Sequence, residues 1–254
     1  MLHHKLGIFH FLDFQHSPIL FYQNNKDEIN NNWAFCLATL ACKNPQSKNQ
    51  IKMEKLNENQ LPKVGILVFE GFLANEVVAP LDVFTKANEN GKHLFHVFLV
   101  AENNSPCVSE EGLKIIPDIT IANCPDLDLL VVPSSMNPGN QIHNKILVSF
   151  IKKQSEKTKF TASHCAGAFL LGEAGIADGK QIVTYCGGSE SLQKDYPSLL
   201  VQDDNINAVI TDGKIISSNG NLVSYLASLE LLEKISGAEQ RKQVETELLI
   251  HKLN

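Results

Sequence analysis

The 254-residue sequence lacks features that mark three common classes of protein. No apolar run approaches the roughly 18 to 20 residues that a membrane-spanning helix needs. No block of lysine and arginine forms a footprint for nucleic-acid phosphates, and the formal net charge is −6. The six cysteines form no CxxC pair and have no metal-ligand spacing with histidine. We therefore expect no membrane, nucleic-acid or metal partner, no cofactor, and reduced thiols in the cytoplasm.

Residues 1–61 differ in composition from the rest of the chain. The polar tracts NNKDEINNN and KNPQSKNQ cannot bury enough apolar surface to offset the entropy of ordering, so the segment is predicted to be disordered or a non-native extension. The stretch MEKLNENQLPKVGILVF resembles the start of a cytoplasmic domain, which makes Met53 an alternative first residue. A further alternative is an exported lipoprotein, because the apolar WAFCLATLAC ends at Cys42, although no basic segment precedes it.

Residues 62–254 alternate between strand and helix patterns and are predicted to form one domain. Apolar runs of strand length, such as VGILVF and DLDLLVVPSS, are followed by segments with apolar residues at helical spacing. The first helix is predicted over residues 74–91, a later strand over 181–185, and a hairpin with its turn at Asp212-Gly213. This order predicts an α/β fold, with a mostly parallel sheet and helices on both faces.

The stretch KFTASHCAGAFLLGEAG places Cys165 between a predicted strand and a predicted helix. A single cysteine is most often a buried, inert residue. Here the small residues Ala166, Gly167 and Ala168 allow a sharp turn that leaves the sulfur exposed, as in a nucleophile elbow. The helix N-terminus is predicted to lower the thiol pKa from about 8.5. The N–H of Ala166 would point at an oxyanion formed on a substrate.

This arrangement resembles the ThiJ/PfpI superfamily, the cysteine-elbow relatives of class I glutamine amidotransferases. The resemblance is carried by SHCAGAFLLGEAGIADGKQIVTY, VGILVFEGFLANEVVAPLDVF, LDLLVVPSS and DGKIISSNG, from about Lys63 to about Gly237. It implies a flavodoxin-like three-layer sandwich, a homodimer, and Cys165 as the reactive centre. It also implies that Glu76 is the acid beside the thiol. That carboxyl must be protonated to donate to a thiolate, so its pKa should be raised.

The sequence departs from the resembled family at the residues that would act as bases. Protease-like members carry a histidine directly after the cysteine, where this chain has Ala166, and glyoxalase-like members carry one where it has Tyr185. His164 precedes the cysteine and is a candidate for a part in the site, although strand alternation should direct its side chain away from the sulfur. The family's paired glycines after the middle strand are Ser134 and Ser135 here. Serine can still offer a backbone N–H to an oxyanion, although its side chain narrows the site.

Packing or structural roles are expected for the other candidate residues. Tyr185 would otherwise line the pocket or donate a hydrogen bond, and Cys186 would be a resolving thiol. The residues interpreted in this way are Tyr185, Cys186, His143, Cys107, Cys124 and Asp82.

Three functions are consistent with the sequence. The first is a cysteine-dependent hydrolase or lyase with hydratase, glyoxalase or deglycase-like chemistry on a small electrophile, in which Cys165 attacks and Glu76 relays a proton. The N–H groups of Ala166 and Ser135 would hold the charge, and the absent histidines argue against a peptidase. The second is a redox or stress-response protein that senses oxidants through Cys165. The third is a ligand-sensing module related to AraC-type regulators, although residues 238–254 are too few for a helix-turn-helix with its supporting helices.

Overall fold

A computed structural model describes residues 61–253. The predictions for residues 1–60, including those at Met53 and Cys42, lie outside these residues. The strands are β1 (Lys63–Leu67), β2 (Asn88–Glu89), β3 (Lys92–His93), β4 (His96–Ala101), β5 (Cys107–Val108), β6 (Lys114–Ile115), β7 (Ile119–Thr120), β8 (Leu129–Val132), β9 (Phe160–His164), β10 (Gln181–Ile182), β11 (Leu200–Val201), β12 (Val209–Asp212) and β13 (Ile215–Ser218). The helices are α1 (Ala74–Lys86), α2 (Gly139–Ile142), α3 (Lys145–Ser155), α4 (Gly167–Glu173), α5 (Ser189–Asp195), α6 (Val223–Ser236) and α7 (Ala238–Glu247).

Seven strands form one sheet in the order β12-β13-β9-β8-β1-β4-β7. Neighbours run parallel except β12 and β13, which form the antiparallel hairpin predicted around Asp212-Gly213. At the centre, Val64 of β1 pairs with Leu129 of β8. The predicted α/β class and the mostly parallel sheet are therefore confirmed.

Helices cover the sheet in two groups. Helices α1, α6 and α7 pack against one another, and α6 also contacts β9 and β13; helices α2, α3 and α4 form the second group, over β8 and β9. All four residues of β8, Leu129–Val132, are buried, as expected of a strand covered on both faces. No helix within residues 61–253 is long and apolar enough to cross a bilayer.

The topology gathers three chain segments at the carboxyl edge of the sheet. The chain first adds β4 and β7 on one side of β1, then returns to add β8, β9 and β13 on the other side. Ligands of such sheets bind beyond the carboxyl ends of the strands, near the point where the order reverses. The segments that follow β1, β8 and β9 meet there, and they carry Glu76, Ser134 and Cys165 respectively.

Two predicted elements differ from the structure. Helix α1 ends at Lys86, because Asn90 (φ +53°) and Gly91 (φ +76°) adopt left-handed conformations and form the two-residue turn between β2 and β3. The strand predicted over residues 181–185 is reduced to β10, which pairs with β11 outside the seven-stranded sheet.

Candidate active site

Cys165 lies in a two-residue turn, because β9 ends at His164 and α4 begins at Gly167. Its φ is +52°, a left-handed conformation that residues other than glycine seldom adopt. The Cys165 N–H donates to the carbonyl of Ser218 at 2.8 Å, and the Thr184 hydroxyl donates to the Cys165 carbonyl at 2.9 Å. A strained residue held between a strand and a helix has the geometry of a nucleophile elbow.

The first turn of α4 packs directly on the end of β8. A Cβ at Gly167 would lie 2.5 Å from the carbonyl oxygen of Val132 and 3.0 Å from that of Pro133, so only glycine fits. The prediction that the turn leaves the sulfur exposed is wrong, since Cys165 is only 9% exposed.

Glu76 lies in the first turn of α1 and is fully buried, which is unusual for a carboxylic acid. Its Oε2 accepts a hydrogen bond from the N–H of Ser134 at 2.6 Å, and this bond ties α1 to the segment after β8. Its Oε1 has no hydrogen-bond partner among residues 61–253. A buried acid with a free oxygen beside a thiol is a candidate proton acceptor.

The loop between β13 and α6 brings Glu76 and Cys165 together. Gly220 in this loop is buried, with a φ of +84°. A Cβ at Gly220 would lie 2.3 Å from Oε1 of Glu76 and 2.5 Å from Cβ of Cys165. The carboxyl and the cysteine side chain therefore flank the same glycine. Gly220 is not among the site residues predicted from the sequence; its signal was a glycine just beyond a strand that ends at the same sheet edge.

Burial governs the protonation of both groups. It raises the pKa of Glu76, the direction predicted, against the opposing effect of the polar groups of Ser134, Asn221 and Cys165 near the carboxyl. Burial and then the negative charge of Glu76 raise the pKa of Cys165 to about 11, although the Ser134 hydroxyl and the Ala166 N–H lower it. The prediction of a lowered thiol pKa is therefore wrong. Helix α4 has only seven residues, and its dipole does not outweigh burial beside a carboxylate.

Replacing Glu76 by glutamine is expected to lower the pH midpoint of Cys165 alkylation by about 1 to 3 units. The amide keeps the size of the side chain and an oxygen for the Ser134 N–H, but it removes the charge that opposes the thiolate. The measurement is the rate of iodoacetamide labelling against pH, resolved for Cys165 by peptide mass spectrometry. Asp82→Asn, on the same helix, is the matched control and should leave the midpoint unchanged. An unchanged or raised midpoint in Glu76→Gln would contradict the expected coupling.

The two serines after β8 differ in what they can offer an oxyanion. The N–H of Ser134 donates to Glu76 and is not available, contrary to the expectation for this residue. The Ser135 hydroxyl donates to Gln141 at 2.8 Å, which ties it to α2. The backbone N–H groups of Ser135 and Ala166 donate none of the backbone hydrogen bonds found within residues 61–253. These two groups are therefore the candidate oxyanion donors.

His164 and Tyr185 do not supply the missing base. The Nδ1 of His164 lies 2.8 Å from the Ser218 hydroxyl, and burial lowers the histidine pKa to about 3, so the ring is neutral and weakly basic. Tyr185 stacks on Phe169 with ring centroids 6.3 Å apart. It also covers Gly188, where a Cβ would lie 2.7 Å from the tyrosine ring. Tyr185 therefore has the packing role that was expected.

The other thiols make their contacts elsewhere. Cys186 is exposed, and its sulfur makes one long contact of 4.0 Å with a backbone carbonyl. Cys107 lines a cavity of about 360 Å³ at the ends of β1 and β4, which neither Glu76 nor Cys165 lines. Burial raises the pKa of Cys124 to about 11. None of these three thiols combines burial, an adjacent acid and an elbow.

Asp82 has a structural role on α1, and His143 is exposed to solvent. Asp82 forms an ion pair with Lys86 and accepts a hydrogen bond from the Tyr225 hydroxyl at 3.4 Å. His143 is exposed at the end of α2. Within residues 61–253, no three histidine, cysteine, aspartate or glutamate side chains are arranged to hold a metal ion.

Several known proteins are similar to this chain in sequence, in fold or in both. Residues 62–234 match the model of the DJ-1/PfpI family. The chain is 26% identical over 186 residues to isonitrile hydratase from Pseudomonas putida, across 73% of this chain and 77% of that protein. It is 22% identical over 187 residues to the HTH-type transcriptional regulator CdhR from Pseudomonas aeruginosa, across 74% of this chain and 54% of the regulator. A crystal structure of a ThiJ/PfpI family protein from Pseudomonas syringae has a similar fold, with a TM-score of 0.66, 20% identity and coverage of 74% of each chain. The chain therefore belongs to the DJ-1/PfpI family, as its resemblance to ThiJ/PfpI sequences predicted.

Proposed function

We propose that this chain is a cysteine-dependent enzyme that adds water to a small electrophile. The observation that supports the proposal is the convergence of Cys165 and Glu76 on Gly220 at the carboxyl edge of the sheet. A thiol beside a buried acid of raised pKa forms a pair in which a proton can move between sulfur and oxygen. The similarity to an isonitrile hydratase favours an electrophilic carbon of that kind over a peptide bond.

In the proposed reaction, Glu76 accepts the proton of the Cys165 thiol, and the thiolate forms a carbon–sulfur bond with the substrate. On an isonitrile this attack places the developing negative charge on the attacked carbon itself, and that carbon takes up the proton from Glu76 to give a thioimidate. Water then adds across the carbon–nitrogen double bond, so that its oxygen joins the carbon and one of its protons joins the nitrogen, and the N–H groups of Ala166 and Ser135 stabilise that oxygen. Cleavage of the carbon–sulfur bond releases the N-substituted formamide, and the hydroxyl proton passes to the sulfur to regenerate the thiol.

The proposal is tested by incubating the purified chain with a simple alkyl isonitrile and, in parallel, with methylglyoxal. Formation of the N-substituted formamide from the isonitrile is the expected result. Turnover of methylglyoxal alone would assign the glyoxalase-like alternative instead. If neither compound is consumed above the rate without protein, the proposed enzyme function fails for these substrate classes.

The redox alternative makes a different prediction about which thiol reacts first. Oxidation by peroxide follows thiolate content and exposure, and Cys165 is buried with a raised pKa whereas Cys186 is exposed. Mild peroxide is therefore expected to modify Cys186 before Cys165, as measured by peptide mass spectrometry. Selective formation of a sulfinic acid on Cys165 would favour the oxidant-sensing alternative.

The similarity to a regulator keeps a ligand-sensing role as a further alternative, although the chain spans about half of that regulator. Binding of the same small molecules without turnover would support it. We also propose that the chain is a homodimer, as the family resemblance implies, and a cytoplasmic location stays a prediction. The dimer is tested by light scattering after size-exclusion chromatography, where the mass should be about twice that of one chain.

A further inference from the structure

Buried polar atoms without partners are concentrated around the cysteine elbow. Among residues 61–253, such atoms occur on Glu76 and Ser134, on Ser163 and His164 directly before the elbow, on Ser224 near the start of α6, and on Gln240. Native structures leave few buried polar groups unpaired, so a cluster of them requires an explanation. The two that belong to residues of the candidate site on the segments after β1 and β8 are Oε1 of Glu76 and the hydroxyl of Ser134.

Ser134 is held in place by its backbone, which leaves its side chain free. Its N–H donates to Glu76 at 2.6 Å, and its carbonyl accepts from the N–H of Leu73 at 2.9 Å. The residue is 1% exposed, and its hydroxyl makes no hydrogen bond of ordinary geometry within residues 61–253. The segment that carries it packs against the elbow, since a Cβ at Gly167 would lie 3.0 Å from the carbonyl oxygen of the residue directly before Ser134. An unpaired, buried hydroxyl therefore lies beside both the acid and the elbow, and it lowers the pKa of Glu76 and of Cys165.

We propose that the Ser134 hydroxyl connects Cys165 to Glu76 and donates a hydrogen bond to the thiolate. It would thereby take the role of the histidine that related sequences carry at the position of Ala166 or Tyr185. This inference rests on the proposed function, because it concerns how the same cysteine is activated. A hydroxyl can donate one hydrogen bond and accept two, so it can accept from the thiol while donating to the carboxylate. The histidine next to the sulfur in the chain, His164, is neutral and engaged with Ser218.

The proton transfer balances without any further reactant. The thiol proton moves to the oxygen of Ser134 as the serine's own proton moves to Glu76, whose Oε1 is free to accept. The negative charge passes from the carboxylate to the sulfur, and the serine hydroxyl is regenerated. The hydroxyl then rotates to donate to the thiolate, which keeps the sulfur charged until it attacks.

The test is the pH dependence of Cys165 alkylation by iodoacetamide in the full chain, in the native and Glu76→Gln backgrounds. Ser134→Ala is expected to slow alkylation about 10- to 100-fold at pH values well below the midpoint, which is the effect of losing one hydrogen bond to a charged group. The midpoint of Cys165 alkylation is lower in the Glu76→Gln background. There, adding Ser134→Ala should raise the midpoint by about 1 to 2 pH units and leave the plateau rate unchanged. Ser134→Thr, which keeps the hydroxyl, should restore most of the shift.

Ser155→Ala is the matched control, because Ser155 is also buried but its hydroxyl donates to a backbone carbonyl of α3. It should leave the Cys165 midpoint unchanged. If Ser134→Ala lowers the plateau rate of alkylation but leaves its pH midpoint unchanged, the substitution changes only the access of iodoacetamide to Cys165, and the proposal is overturned. A midpoint equal to that of Ser155→Ala would overturn it as well. If Ser134→Ala does not fold, Ser134→Gly replaces it. Alkylation needs no substrate turnover, so failure of the enzyme function and failure of this inference give separate results.

Discussion

Cys165→Ser is expected to reduce turnover of the isonitrile on the order of a thousandfold or more, measured as kcat/KM. Serine differs from cysteine here by one atom and preserves the backbone hydrogen bonds to Ser218 and from Thr184 that hold the elbow. Its hydroxyl is a far weaker acid than a thiol. The Glu76 carboxylate is a strong enough base to take a proton from a thiol, but it cannot deprotonate the serine hydroxyl without the help of a histidine. The loss should therefore come from chemistry and leave the fold intact.

Cys186→Ser is the matched control for this substitution. It makes the same chemical change at an exposed thiol whose sulfur makes a single, long hydrogen-bond contact within residues 61–253, so turnover should be unchanged. The thermal unfolding midpoints of both variants should match that of the unsubstituted chain. Full turnover in Cys165→Ser would move the reaction away from the elbow, and loss of turnover in Cys186→Ser would make the second thiol part of the mechanism.

The fold was predictable where a run of apolar residues by itself indicates a strand that is buried on both faces. The apolar run of β8 and its neighbours indicated buried parallel strands, and the structure places β8 between β1 and β9 with every residue buried. The end of α1 was not predictable from helical spacing alone. Asn90 and Gly91 form a left-handed turn, and that preference ends the helix several residues early. Strand β10 ends at Ile182, and the next N–H, of Val183, donates to the Ser217 hydroxyl instead of to the backbone of a neighbouring strand.

The sequence predicted which residues form the candidate site better than it predicted their pKa values and hydrogen bonds. The small residues around Cys165 indicated the elbow, and the resemblance indicated Glu76, and the two side chains do flank one glycine. The sign of the thiol pKa depends on burial and on a charge 89 positions away in the sequence, neither of which is visible in a local motif. The N–H of Ser134 is likewise taken by an acid from a different element, a pairing that exists only once the sheet has formed.

Gly220→Ala is expected to remove both the reactivity of Cys165 and a large part of the stability. The φ of +84° is a strained conformation for alanine and costs about 1 to 2 kcal/mol. The added Cβ would also lie 2.3 Å from Oε1 of Glu76 and 2.5 Å from Cβ of Cys165. Relieving these contacts in a packed region costs about 1 to 3 kcal/mol more. Since the loop cannot keep its position, the acid and the thiol should separate, with loss of turnover and a changed alkylation profile.

Gly187→Ala separates backbone strain from contact. Gly187 has a φ of +86°, almost the same as Gly220, but a Cβ there would meet nothing within 4 Å. This variant should lose stability in denaturant unfolding through strain alone, and it should keep native turnover and alkylation. If Gly220→Ala behaves like Gly187→Ala, the loop after β13 yields without disturbing Glu76 and Cys165. In that case the pair is held by α1 and the elbow alone, and the glycine between them has no part in defining the site.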